Sequence, residues 1–190
     1  MSCGVVSALR YRSLAAAISL GLLGVAGSLH AATPTPPAPT VWSDEAKGLV
    51  VITTRTPGAE SKENVQNQTA AFVEGLVNSG SVAPQSVRAI TIRKLPALEL
   101  RGDLLTGPKG IKCVAIMAFS RSQTFIVHGM GPADPDAALV ETHCAAEGSP
   151  FGEARAPIED LAGKIKRELG ELRRLALAVQ ARQQAENRKP

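Results

Sequence analysis

At 190 residues the chain is long enough for one domain with appendages, and its 44% apolar and 20% charged residues are those of an ordinary globular protein. Only 3% of the residues are aromatic, so the core is predicted to be aliphatic and alanine-rich. The net charge of +4 is spread unevenly: residues 33–152 carry ten Lys or Arg against eleven Asp or Glu, and residues 153–190 carry nine against six, which leaves the predicted domain without the basic face a nucleic-acid partner requires.

Residues 1–32 read as a secretory leader. Arg10 and Arg12 form a positive n-region, no acid occurs before Asp44, and residues 14–29 are an apolar run studded with Ala, Gly and Ser. Leu29-His30-Ala31 supplies a small-residue cleavage signal next to Ala32. Sixteen residues with several glycines fall short of the roughly 20 that a spanning helix needs, so cleavage is expected in preference to an uncleaved anchor, leaving no membrane contact. Cys3 precedes the apolar run, which argues against a lipoprotein. The destination is the periplasm or the exterior, both oxidising.

Residues 33–46 read as a proline-rich linker. Thr-Pro-Thr-Pro-Pro-Ala-Pro-Thr at 33–40 favours extended polyproline geometry and would hold a domain away from the membrane or cleavage site. Trp42, the only tryptophan, is expected to anchor the start of the domain to the core.

The domain proper is predicted over 47–152. Residues 49–54 form a first strand, closed by Pro57-Gly58. Residues 61–78 follow as a helix: Val65, Thr69, Phe72, Val73, Leu76 and Val77 recur at helical spacing, Ser61 is a start signal and Gly80 a stop. Four strands come next, at 87–95, 98–104, 111–119 and 124–130, and the short turns between them call for antiparallel pairing. In the second of these, Leu98, Leu100 and Leu104 alternate with Glu99, Arg101 and Asp103, the pattern of a strand with one wet face. The third has no charge after Lys112, so neither face suits water and it is predicted to be the central strand, covered on both sides. Residues 132–147 form a second helix, with Asp134 as N-cap, Pro135 at the first helical position, and Ala137, Val140 and Cys144 on one face. Gly148 ends it, and Phe151 returns to the core. The order strand, helix, four strands, helix is an α+β pattern: an antiparallel sheet with two packed helices, and the first strand at an edge.

Residues 153–190 read as a C-terminal amphipathic helix. Ile158, Ile165, Leu172 and Val179 recur every seven residues, with Leu161 and Leu175 at complementary positions. Such a narrow stripe serves either a helix lying on its own domain or a coiled-coil seam, through which these six residues would bind a second copy or another protein.

Chemistry-bearing residues are few. Without the leader two cysteines remain, Cys113 and Cys144, and an even pair in an exported protein is most simply a disulfide. Closing a loop of about 30 residues would contribute on the order of 3 kcal/mol. Two separate buried thiols, or a redox pair, are the alternatives. A Cys/His enzyme or a zinc site centred on Cys113, His128 and Cys144 is the rival functional reading; His143 completes its donor list, but it is adjacent to Cys144 on a helix and points about 100° away. No phosphate-cradling glycine loop, Gly-x-Ser-x-Gly or His-Glu-x-x-His occurs, and Gly107-Pro108-Lys109-Gly110 is a hairpin turn. Catalytic residues, a metal and a cofactor are therefore not expected.

The helix at 61–78, the hairpin at 111–130 with its Gly129-x-Gly131-Pro132 exit, the helix at 134–147 and the closing Ser149-Pro150-Phe151 together resemble the PsbP-like fold. The resemblance covers about half of the chain. It implies an antiparallel sheet between helices in an exported protein, and it carries no functional residue with it. The sequence thus predicts a non-catalytic exported binding or interaction module.

Overall fold

The computed structural model describes residues 37–188. Six strands form one antiparallel sheet: β1 (Thr40–Asp44), β2 (Leu49–Pro57), β3 (Val82–Ile92), β4 (Leu95–Leu104), β5 (Lys112–Phe119) and β6 (Gln123–Gly131), in the order β1-β2-β6-β5-β4-β3. Helices α1 (Lys62–Asn78), α2 (Ala137–His143) and α3 (Arg155–Glu186) pack on it, with a 3-10 turn at Gly152–Ala154. The fold is α+β. The leader falls outside the described residues, as does the first part of the proline-rich segment; no described helix is long and apolar enough to cross a membrane.

The apolar run that follows Lys112 behaves as its composition demands. Every residue of β5 from Cys113 to Phe119 is buried, because the strand lies between β4 and β6 and both faces are covered. Side chains alternate across a strand, so the sheet sorts its residues into two cores. On face A, Cys113, Ala115, Met117 and Phe119 of β5 join Leu98 and Leu100 of β4 and Ile126 and Met130 of β6 under α1 and α3. On face B, Val114, Ile116 and Ala118 join Val51, Phe125 and Val127 under the shorter α2 and the segment that follows it.

Local chemistry sets the helix ends. The Ser61 hydroxyl caps α1 by accepting from the Asn64 N–H at 3.2 Å. At the other end Gly80 takes φ +63° and donates to the Val77 carbonyl, while the Ser81 N–H reaches the Leu76 carbonyl at 3.2 Å. Gly80 is also where α3 crosses: a Cβ there would lie 3.1 Å from the Gln180 nitrogen. Phe151 is buried on face A, as expected, and its N–H donates to the Phe119 carbonyl.

Four expectations need correction. Residues 40–44 belong to the sheet and not to a linker: Trp42 pairs with Val51, and its ring stacks on His143 at 3.6 Å and 8°. That strand occupies the edge, so β2 is interior, between β1 and β6. The second helix is shorter than 132–147. Asp134 precedes a proline and is biased to extended backbone, and the cap is Asp136, which accepts from the Ala138 N–H at 2.8 Å. It ends at His143 because the next turn is drawn to the sheet, where the Ala145 N–H donates to the Thr53 hydroxyl at 3.1 Å.

The fourth correction concerns the C-terminal helix. Its 32 residues, about 48 Å at 1.5 Å per residue, lie along β3 and beside α1 as part of the domain. Ile158, Ala162 and Ile165 complete the face A core, and Leu161, Leu169 and Leu172 pack against it. Polar ties hold the second half: Arg173 meets Asp103 at 3.0 Å, and the Gln180 amide donates to the Leu105 carbonyl at 2.9 Å.

Candidate functional site

Of Cys113, His128 and Cys144, the fold brings Cys113 and His128 onto one face. His128 stands opposite Ala115 in the β5–β6 ladder, which makes it the diagonal neighbour of Cys113 on face A. Both are dry, at 0% and 3% exposure. Burial pushes the Cys113 thiol up to about 12 and the His128 imidazole down to about 4. The ring meets the edge of Phe72 at 6.3 Å, and its Nε2 is buried without a hydrogen-bond partner. A thiol held protonated and an imidazole held neutral, both out of reach of solvent, are the reverse of an activated nucleophile and its base.

The expected Cys113–Cys144 disulfide is overturned: both cysteines are free. Cys113 packs in the face A core, and Cys144, at the end of α2, packs in the face B core. The backbone of the sheet stands between them, so no rotamer of either side chain can close the bridge. The Cys144 thiol, also raised by burial, donates instead to the Glu141 carbonyl at 3.3 Å. The same separation dissolves the proposed zinc set of Cys113, His128 and Cys144, and His143 is engaged on Trp42. Among the described residues no group of three or more His, Cys, Asp and Glu side chains is placed to hold a metal ion.

A charged cluster replaces the wet face expected on β4. The Glu99 side chain is only 1% exposed. Arg88 lies directly opposite on β3 and grips it through two nitrogens, at 2.6 and 3.3 Å. Arg101, two residues along, adds contacts at 2.9 and 3.2 Å and spends its last nitrogen on the Pro135 carbonyl at 3.2 Å. Burial pushes the Glu99 carboxyl up, but the hydrogen bonds from Arg101 and Arg88 outweigh it and hold the group below the usual carboxylate range. Both carboxylate oxygens are committed, so the cluster fastens the 132–136 segment to face B and offers no proton for transfer. The signal for it lay in the sequence: a two-residue turn at Arg93-Lys94 places Arg88 across from Glu99.

The six α3 residues predicted to bind a partner divide. Ile158 and Ile165 are buried in the domain's own core, and Leu161 and Leu172 pack against it. Val179 is half-buried beside Gly80. Only Leu175 is well exposed, at 46%. Most of the predicted seam is therefore occupied by the protein's own sheet and by α1, and what stays open is a rim around Leu175. Two shallow hollows, of about 240 and 320 Å³, share Arg155 and Glu159 at the start of α3. They sit at or below the small end of ligand pockets. Compared with known proteins, the chain matches no family model and no curated protein.

Proposed function

We propose that the protein is a non-catalytic exported module of PsbP-like kind that acts by protein contact along the rim of α3 formed by Leu172, Leu175 and Val179. The observation that carries this reading is the placement of the reactive groups. Cys113 and His128 are sealed in the core, and the Glu99 oxygens are saturated by two arginines. An antiparallel sheet between helical layers is the architecture that the PsbP-like resemblance implies, and the export reading rests on the leader-like residues 1–32. The rim follows from helical spacing: residues 172, 175 and 179 stand one above another, with Leu175 projecting to solvent and its neighbours half-buried.

Deleting α3 is a poor test, because it strips Ile158 and Ile165 from the core. Leu175→Glu is the clean perturbation. Light scattering on the exported protein, with cross-linking in the cells that produce it, is expected to reveal a self-associated species or a cross-linked partner that Leu175→Glu abolishes. A monomer without adducts, indifferent to the substitution, removes the contact reading.

A further inference from the structure

Of the side chains on face A that carry soft or borderline donor atoms, Met117 lies opposite Ile126, four residues along the strand from Cys113, whereas Cys113, His128 and Met130 are neighbours. Cys113 and Met130 are direct partners in the β5–β6 ladder. The Ser120 N–H donates to the Gln123 carbonyl at 2.9 Å, and alternation from that hydrogen-bonded pair makes Cys113–Met130 a non-hydrogen-bonded one. Side chains are closest in such pairs, with Cβ atoms about 4.5–5.5 Å apart, and diagonal neighbours at roughly 7–8 Å are still within reach of a ring. His128 is that neighbour. Its buried Nε2 has no partner, and a buried polar nitrogen left so is one that an ion or a water would satisfy. The Cys113 sulfur is unbridged, and Cys113 and Met130 are 0% and 1% exposed.

We propose that Cys113, His128 and Met130 form a buried site for a soft monovalent cation, Cu(I), with Ag(I) as its inert analogue. Thiolate, thioether and imidazole are the donor set that selects copper(I) over hard cations. Charge decides between Cu(I) and Zn(II). One thiolate with a monovalent ion is neutral and tolerates an apolar interior, whereas one thiolate with a divalent ion leaves a net charge that the core cannot solvate. Bonds near 2.3 Å to sulfur and 2.0 Å to nitrogen set the donors of a trigonal site about 4 Å apart, which is ordinary packing contact. On binding, the Cys113 S–H bond breaks, an S–Cu bond forms and the proton leaves to solvent; no electron is transferred. His128 supplies the Nε2 lone pair with its proton on Nδ1. Because all three residues are sealed, the ion enters as the chain folds and not through a channel.

The test is to refold the full chain anaerobically with Cu(I), and separately with Ag(I), and to measure metal retained after exchange against a chelating competitor. One ion per chain is expected, with a higher denaturation midpoint than the metal-free protein. Met130→Leu, which conserves volume, is expected to lower affinity about tenfold or more, and Cys113→Ala to abolish retention. The double replacement Cys3→Ser with Cys144→Ala should leave retention unchanged. Retention no greater than in Cys113→Ala overturns the site, as does equal affinity in Met130→Leu or loss of the ion in the double replacement.

Discussion

A neutral histidine sealed under α1 makes the fold acid-sensitive in a window set by that one residue. His128 titrates near 4 in the folded chain against an ordinary value of 6.5, because burial penalises the imidazolium. The folded state therefore binds fewer protons than the unfolded state between those values. Stability is whole above the unfolded value and is lost as pH falls toward the folded one. At 1.36 kcal/mol for each pH unit, the full interval is worth about 3 kcal/mol, and the part spent between pH 7.5 and 5 is about 2 kcal/mol. Against a total stability of roughly 5–15 kcal/mol that loss is measurable. Urea denaturation of the wild type and of His128→Leu at pH 7.5, 6 and 5 isolates it, since the variant lacks the titrating group whatever its own stability. Stopping at pH 5 keeps Glu99 and Asp103 out of the comparison. Both carboxyls are held below their ordinary range, so their contributions are present above it and fade only at lower pH. The wild type should lose about 2 kcal/mol more than the variant over this interval. Parallel slopes would show that His128 is not neutral in the core, and the reasoning on burial would fail with it.

Further outcomes follow from the same packing. Cys113 and Cys144 should both react with a thiol reagent in denaturant without reductant, and neither should react rapidly in native buffer; a disulfide would leave no reactive pair. Ile165→Ala should cost about 3 kcal/mol by chemical denaturation, since it empties a site that α3 fills in the face A core. A chain ending before α3 should show a loose, dye-binding state by circular dichroism and fluorescence. Arg101→Met should cost about 3 kcal/mol at neutral pH, because Glu99 keeps its burial but loses one of its two partners, and that cost should shrink as pH falls through the carboxylate range, where protonation of Glu99 relieves it. Glu99→Gln in the same background should restore part of the loss.

Much of the fold was legible because burial on two faces, or on one, writes different patterns into a strand. The uncharged run after Lys112 marked β5 as central, and Ser61 with Gly80 marked the limits of α1. What was not legible depended on which neighbour arrived. The strand at residues 40–44 is short, follows prolines and owes its place to the stacking of Trp42 on His143, a contact made over 101 residues of chain. Glu99 reads as solvent-facing in any strand-by-strand scan, and it is buried only because the 132–136 segment, tied by Arg101, folds over it. The stripe of α3 was correctly periodic, but periodicity does not say whose surface a helix covers.

The error on the disulfide is more instructive, because the sequence held the means to avoid it. In β6 the residues Phe125, Val127, Gly129 and Gly131 share one face, and Thr124, Ile126, His128 and Met130 share the other. Gly129 is the place where a helix can approach that first face: a Cβ there would fall 2.7 Å from a Val140 methyl. A helix that needs Gly129 must lie on face B, and Cys144, four residues after Val140, goes with it. The hairpin turn at Arg121-Ser122 fixes the β5 register, and that register pairs Cys113 with Met130, on face A. Turn length, strand parity and one glycine thus suffice to set the two sulfurs on opposite sides of the sheet. Gly129→Ala turns this chain of inference into a measurement: if α2 seats on that glycine, the added methyl should destabilise the protein by about 2 kcal/mol through overpacking against Val140. It should also speed the reaction of Cys144 with a thiol reagent while leaving Cys113 protected on the far side. Equal reactivity of the two thiols in that variant would mean that the sheet does not separate them.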